Sequence, residues 1–345
     1  MSKKHIFFRI IFLILVSFAL TYLTINKIGA SLENFETKIY QKISGKKSQY
    51  LQTDSSGVPI VIYEGKLGRQ YNSVTVAERA LKLSDQKDCI ADRAFLSCIN
   101  WLINNSAPLN DSSIIYLDYF DWPGYKMTSP WRSAMNQGRA MQAFIKAFER
   151  TNDSVYLEYA RKSMNVLYTE VEDGGVSYKD TSGYWYEEYA DDSVPQSRVL
   201  NGMIVTLQGL SDYYKITIDT GALFLFSQGV KSVKNSLHLY DNNGHSNYDV
   251  LGKPANPGYH KFHIDLLEFL YAETHDPVFK EYQQKWSEYH EPAYLATLIK
   301  KPTRIGIFTI ISLFVGYFVF ISIIGFIIWA KKNGRVQPYH QNEIL

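Results

Sequence analysis

The sequence predicts a mainly α-helical protein: an (α/α) toroid or short solenoid of about four helical hairpins, with β-hairpin loops at one end and a transmembrane helix at each terminus. Three observations predict it. Apolar runs near both ends are long enough to cross a bilayer. Between them apolar residues recur at threes and fours, as on the buried face of amphipathic helices. Asp88, Asp153, Asp219 and Asp276 each sit in a short turn between two helical patterns, and a period of about 60 residues holding two helices is an αα-hairpin repeat.

The first apolar run, 6–25, follows Lys3 and Lys4, and Arg9 lies near enough to its end to snorkel. It is longer than the core of a signal peptide, so residues 1–32 are expected to be an uncleaved anchor. Residues 33–56, ending in a Lys/Ser/Gln-rich stretch, read as a linker. The helical domain is expected over 57–295, with a short strand at 58–63 and helical patterns from near Val74. Trp131, Ala134, Met135, Gly138, Met141, Phe144, Ile145 and Phe148 share one helix face. That pattern stops at Asn152, and Asp153 is suited to cap the next helix. Pro277 directly after Asp276 is what a first helical position prefers. The second apolar run, 305–330, carries no charge, so 303–331 is expected to be the second transmembrane helix, before a short tail over 332–345. Two crossings put both termini on one side and the middle domain on the extracytoplasmic or lumenal side. The flanking Lys and Arg residues do not decide the orientation.

A formal net charge of +2 gives no global field for a polyanion. Nucleic acid is excluded as a partner on that ground, and an acidic substrate must be held by local cations. Cys89 and Cys98, nine apart on one expected helix, fall on opposite faces and do not pair. The connections over 107–130, 170–195 and 237–258 are long and rich in Tyr, Trp, Gly and Asp. In an antiparallel ring they gather at the end opposite the short turns, which is where function is expected. The middle connection reads as a β-hairpin around Gly174-Gly175 and Thr181-Ser182-Gly183.

Three clusters carry candidate chemistry. In Tyr184-Trp185-Tyr186-Glu187-Glu188-Tyr189, strand alternation would place Glu188 on a face with Tyr186 and Glu187 on a face with Trp185 and Tyr189. One carboxylate could then face a cavity among rings that desolvate it. In the second, Asn247-Tyr248-Asp249 precedes Tyr259-His260-Lys261-Phe262-His263. His260 and His263 lack a further ligand pattern, so they read as structural and no metal is expected. The third, Trp131 to Gly138, is mostly core, with Gln137 allowed a polar role. The 26 tyrosines suit aromatic platforms against sugar rings.

These clusters resemble, in order, the motifs of D-glucuronyl C5-epimerases. Trp131 to Gly138 resembles WxSAMAQG, and Trp185 to Tyr189 with Val199-Leu200-Asn201-Gly202 resembles WYEEYPTTPSSFVLNG. Tyr248-Asp249 resembles YDL, and Tyr259 to Ile264 resembles YHxxHI. The resemblance implies the (α/α) toroid and a cofactor-free conversion of D-glucuronate to L-iduronate within a heparosan-like chain. It implies Glu188 and Tyr259 as an opposed acid/base pair, with Tyr189 and Tyr248 hydrogen-bonding the developing charge. Trp131, Gln137, Trp185, Glu187, Arg198, Asn201, Lys253, His260 and His263 are the expected substrate-binding set. The chemistry suits these residue types: the hydrogen on carbon 5 is α to a carboxylate, so a base removes it on one face and an acid returns one on the other.

Departures from the family pattern bear on the substrate. Leu251 stands where the animal enzymes carry an arginine, three residues after the YDL tyrosine, so another cation must meet the substrate carboxylate; Arg198, Lys253 and Lys261 are the candidates. Arg198 also replaces a phenylalanine of the motif, and the animal enzymes' N-terminal β-domain has no counterpart. The rival functions are a uronan lyase and a non-catalytic membrane protein that binds glycan or assists its assembly. The partners expected are a uronic-acid polysaccharide and the lipid bilayer, with a homodimer as an option.

Overall fold

The computed structural model describes residues 3–44, 50–63, 65–86, 88–289 and 293–333. They form two compact units, one of 48–289 and one made from both ends of the chain. Helix α1 (Lys3–Ser44) opens the terminal unit and runs through much of the segment read as a linker.

The central unit begins with an antiparallel sheet of β1 (Tyr50–Thr53), β2 (Pro59–Ile62) and β3 (Arg69–Gln70). The expected strand at 58–63 is β2; its partner β1 lies where the linker was expected. Four helical hairpins follow: α2 (Ser73–Ser84) with α3 (Cys89–Asn104), then, after β4 (Ser106–Asn110), β5 (Ser113–Asp118) and β6 (Trp131–Arg132), α4 (Ala134–Thr151) with α5 (Val155–Asn165). Next, β7 (Ser177–Asp180) and β8 (Gly183–Tyr186) lead to α6 (Leu200–Thr217) with α7 (Thr220–Ser236). Finally, β9 (Asp241–Asn242) and β10 (His245–Ser246) lead to α8 (Pro257–Thr274) with α9 (Pro277–Ser287).

The aspartates mark the short turns for a physical reason. Asp88, Asp219 and Asp276 are N-caps whose carboxylates accept first-turn N–H groups of α3, α7 and α9. Asp153 departs from the expectation. Ser154 holds the cap position of α5, and Asp153 accepts the Val155 N–H from one residue earlier. Cys89 is exposed at the start of α3 and Cys98 is buried; both are free thiols.

The first helices of the hairpins pack in sequence, α2 on α4, α4 on α6 and α6 on α8. The contact of α4 with α6 is the tightest of these because it is made through glycine. A Cβ on Gly138 would lie 2.7 Å from the Thr206 Cα, and one on Gly209 would lie 2.5 Å from the Gly138 carbonyl oxygen. Around this contact Met141, Phe144, Met203 and Leu207 are fully buried or nearly so, each contributing roughly 1.5–3 kcal/mol of transfer free energy.

The terminal unit is completed by α10 (Tyr294–Lys300) and α11 (Arg304–Asn333). Helices α1 and α11 are both long and apolar enough to cross a membrane. They pair antiparallel: Phe8 and Phe12 share a cleft with Ile321 and Ile328, whereas Glu36 accepts hydrogen bonds from Thr309 and Ser312. Between these levels the Tyr317 hydroxyl donates to Thr24 Oγ1 at 3.1 Å. The tail beyond Asn333 lies outside the described residues.

Candidate active site

The long connections of the central unit converge on a cavity of about 510 Å³. Its walls come from α2, the 119–130 connection, the start of α4, the segment after β8, the 247–256 loop and the first turns of α8. None of the four hairpin-turn aspartates lines it. It therefore opens at the end of the hairpins where the long connections gather.

Strand β8 ends at Tyr186, and the next two carboxylates take opposite fates. Glu187 is fully buried and accepts hydrogen bonds from Ser197 Oγ (2.9 Å) and the Arg198 N–H (2.9 Å). It ties the segment after β8 to the entry of α6 and does not line the cavity, so the substrate-binding expectation for it is corrected. Glu188 and Tyr189 both line the cavity. Strand alternation would have placed them on opposite faces, but that pattern no longer applies once β8 has ended.

Glu188 is the buried acid of the site. Its carboxyl receives Asn201 Nδ2 at 3.3 Å and is hydrogen-bonded by Tyr189, Tyr248 and the Gly202 N–H in the first turn of α6. Burial, reinforced by Glu187, outweighs those donors and pushes its pKa up to about 8. The carboxyl packs so closely that a Cβ on Gly202 would fall 2.3 Å from its Oε2. Gly202→Ala is therefore expected to slow catalysis about tenfold or more, and to lack the stability gain of about 1 kcal/mol that Gly→Ala brings in a helix. Rate assays and denaturant unfolding of the variant check both outcomes.

The phenols form one hydrogen-bonded chain, with Tyr189 bonded to Tyr248 and Tyr248 to Tyr259. The rings of Tyr248 and Tyr259 meet edge to face at 4.8 Å. Burial and the nearby Glu188 raise the pKa of all three above the ordinary phenol value. Tyr259 is placed by the N-terminus of α8, where Asn256 accepts its N–H and Pro257 occupies the first helical turn. It remains 39% exposed and lines the same cavity as Glu188.

Tyr248 is held by backbone bonds, its carbonyl accepting from Leu200 N and its N–H donating to Lys253 O at 2.6 Å. This loop also places Lys253, whose ammonium lies 5.1 Å from the Tyr248 ring centre and 5.6 Å from that of Tyr125. Among the described residues lining the cavity, Lys253 is the one Lys or Arg. Leu251 is 57% exposed and lies outside it. The other cation candidates are engaged elsewhere: Arg198 with Asp180, Gln196 and the face of Trp185, and Lys261 with Asp265.

Further expectations are corrected by burial. Trp185 is core, stacked on Tyr240. Gln137 is buried against β5, where its amide nitrogen donates to the Ile114 carbonyl and its amide oxygen accepts the Tyr116 N–H. His260 and His263 also lie behind the wall, where Ser246 Oγ contacts both Nδ1 atoms at 2.9 and 2.8 Å. His260 Nδ1 accepts the Ser246 N–H, so its Nε2 donates to the Trp286 carbonyl. Burial lowers the His263 pKa to about 3. The pair fixes the start of the loop that carries Tyr248. Trp131 and Asn201 line the cavity.

Several lining residues escaped the sequence reading. Tyr63, delivered by β2, packs on Phe120 and Trp122. Trp122 and Tyr125 lie against Tyr189, and the Tyr125 hydroxyl donates to Asp249 at 2.6 Å. The aromatic richness of 107–130 was the available signal for them. Asn72, Thr75, Glu78 and Asn136 carried none beyond lying near a helix start.

The family model for the D-glucuronyl C5-epimerase C-terminus matches residues 111–288. The D-glucuronyl C5-epimerase of Caenorhabditis elegans is 31% identical over 215 residues, 57% of this chain and 35% of that protein. An uncharacterized protein of Methanocaldococcus jannaschii is 29% identical over 84% of this chain and 99% of its own length. Among solved structures, a GH76 α-mannanase of Bacteroides thetaiotaomicron aligns with a TM-score of 0.46 at 16% identity, over 77% of this chain and 72% of its own. A cellobiose 2-epimerase of Bacillus thermoamylovorans aligns with 0.46 at 9% identity, over 76% and 80%.

Proposed function

The chain belongs to the D-glucuronyl C5-epimerase family, and on that premise we propose that its central unit inverts carbon 5 of D-glucuronate residues, to L-iduronate, within an acidic polysaccharide. The observation that carries the reading is a buried Glu188 of raised pKa, joined to three phenols beside a single lysine in one cavity. In this reading the four hairpins are an (α/α) toroid with its mouth at the long connections.

Glu188 and Tyr259 approach carbon 5 from opposite faces. One removes the proton and the other returns one, and their roles exchange with the direction of the reaction. A pKa near 8 lets Glu188 hold or release a proton around neutral pH. The enolate-like charge on the substrate carboxylate is met by Lys253 and by the hydroxyls of Tyr189 and Tyr248. Lys253 thus takes the place of the arginine that stands at the Leu251 position in the animal enzymes. Lys253→Met is expected to raise KM and to lower the exchange rate by about 10²–10³-fold, with Lys253→Arg recovering part of the loss, as steady-state kinetics on a uronan would measure.

The test is incubation with heparosan in deuterated water, with deuterium at carbon 5 as the readout. A product absorbing through a new double bond would make the protein a lyase. Binding without exchange would leave a glycan-binding protein.

We also propose a two-pass membrane arrangement, with α1 and α11 as the spans and the central unit outside the cytoplasm. Their antiparallel pairing supports it. Thr181, in the β7–β8 turn, is exposed and offers a labelling site on the central unit. With Cys89 and Cys98 replaced, Thr181→Cys should react with an impermeant thiol reagent in intact cells. Labelling only after lysis overturns the arrangement.

A further inference from the structure

Helices α1 and α11 close on one another along part of their length only. On α1 the covered residues include Ser17, Thr21 and Ile25, spaced by fours on one face and all buried. Continued toward the N-terminus, that face reaches Leu13, Arg9 and His5, and there the helices stand apart around a cleft of about 1360 Å³. Phe8 and Phe12 from α1, with Ile321 and Ile328 from α11, form its apolar walls. Phe8 is 69% exposed and Ile328 is 62% exposed, so neither helix fills the space. Gly325 also lines the cleft, and a Cβ built on it would meet nothing within 4 Å.

The cleft changes character along its length. Lys4, His5 and Arg9 stand at the end nearest the start of α1, and no Asp or Glu lines the cleft among the described residues. The first turn of α1 carries no acidic residue, and its unpaired N–H groups add positive charge at the same end. Helix α11 contributes Trp329, a residue type that favours the headgroup level of a bilayer. Lys4 and Leu13 are nine residues apart, roughly 14 Å along a helix. That is about half of the roughly 30 Å hydrocarbon core. A cleft one leaflet deep, apolar within and cationic at the membrane surface, matches a phospholipid in length and in the order of its parts.

We infer that this cleft binds an anionic phospholipid, with its phosphate at Lys4, His5 and Arg9 and its acyl chains along Phe8, Phe12, Ile321 and Ile328. The site rests on the two-pass arrangement and is independent of the epimerase reading. In that arrangement the cationic end lies at the cytoplasmic leaflet, whose anionic lipids attract basic residues close to a membrane span. At the opposite end of the pair, Glu36 joins α1 to α11 through Thr309 and Ser312. The lipid supplies the matching contact where the helices part, since it fills the space between the walls and neutralises the cations.

The experiment uses the full-length protein in phosphatidylcholine nanodiscs. Trp329 is the one tryptophan outside the central unit, and its fluorescence is quenched by lipid carrying bromine high on its acyl chains; a Trp329→Phe variant gives the background. The brominated lipid is either phosphatidylglycerol or phosphatidylcholine. Phosphatidylglycerol is expected to quench Trp329 at a mole fraction about tenfold or more lower than phosphatidylcholine. Lys4→Gln combined with Arg9→Gln should remove most of that preference, at about fivefold per charge. Gly325→Leu fills the cleft without altering its charge and should abolish the preference as well. Equal quenching by the two lipids would mean ordinary contact with surrounding lipid. A preference that persists in Gly325→Leu would mean diffuse attraction to the membrane surface, and one that persists without Lys4 and Arg9 would exclude them as the phosphate site. Each of these overturns the site and leaves the two-pass arrangement standing. No quenching of Trp329 by either lipid would take α11 out of the bilayer and overturn that arrangement, and the site with it.

Discussion

Deuterium exchange at carbon 5 is expected to fall about a hundredfold or more in a Glu188→Gln variant, since a positioned acid or base contributes about 10²–10⁴-fold. Glutamine keeps nearly the whole volume, so packing against Gly202 and Asn201 should survive. Stability should respond to pH in a direction that identifies the same group. The folded pKa of about 8 lies above the ordinary carboxylate value, so the stability associated with the protonated form is full below the unfolded pKa and is lost as pH rises through about 8. The variant has no carboxyl to ionise. It should therefore melt above wild type at pH 9 and close to it at pH 4. Near-normal exchange with the fold intact would remove Glu188 from the chemistry, and a lower melting temperature at both pH values would attribute any loss to unfolding.

Tyr259→Phe is expected to cost a similar factor, about a hundredfold or more, but with a different isotopic pattern. If the two groups serve opposite faces of carbon 5, losing either abolishes inversion. The remaining group can still exchange the proton on its own face, so one variant washes label from the D-glucuronyl epimer and the other from the L-iduronyl epimer. Tyr189→Phe and Tyr248→Phe affect the charge that both directions share and should slow the two exchanges together. Identical patterns in the Glu188 and Tyr259 variants would contradict the two-face assignment. Tyr259 is accessible at the cavity mouth and sits on a capped first turn, so phenylalanine there should leave the fold unchanged.

The hairpin architecture was legible because its signals are local. An aspartate that caps a helix and a stripe of apolar residues each act within a few residues along the chain. The chemistry of Glu188 was partly legible: aromatic neighbours suggested a desolvated carboxyl, but alternation assigned the faces wrongly because it does not survive the end of β8. Burial was the harder quantity. Trp185, Gln137 and Glu187 sit in motif segments beside the site and turn into the core, a choice made by Tyr240, by β5 and by Ser197 and Arg198, which meet them from elsewhere in the chain. Asn72 and Asp118 lie 46 residues apart and meet only through the tertiary fold. Asn72 carries the local mark of a helix cap and Asp118 carries none, and no reading of periodicity brings the two together.

The chain's two ends share one compact unit, with the whole of 48–289 inserted between them. A protease that cuts once, on either side of the insert, leaves the other strand of chain intact and the catalytic unit still attached to its helix. Shedding the unit as a free enzyme takes two cuts. A fragment cut once also keeps α1 and α11 joined by their own contacts, among them Glu36 with Thr309 and Ser312 and Thr24 with Tyr317, so separation on a denaturing gel would reveal a nick that a native preparation conceals.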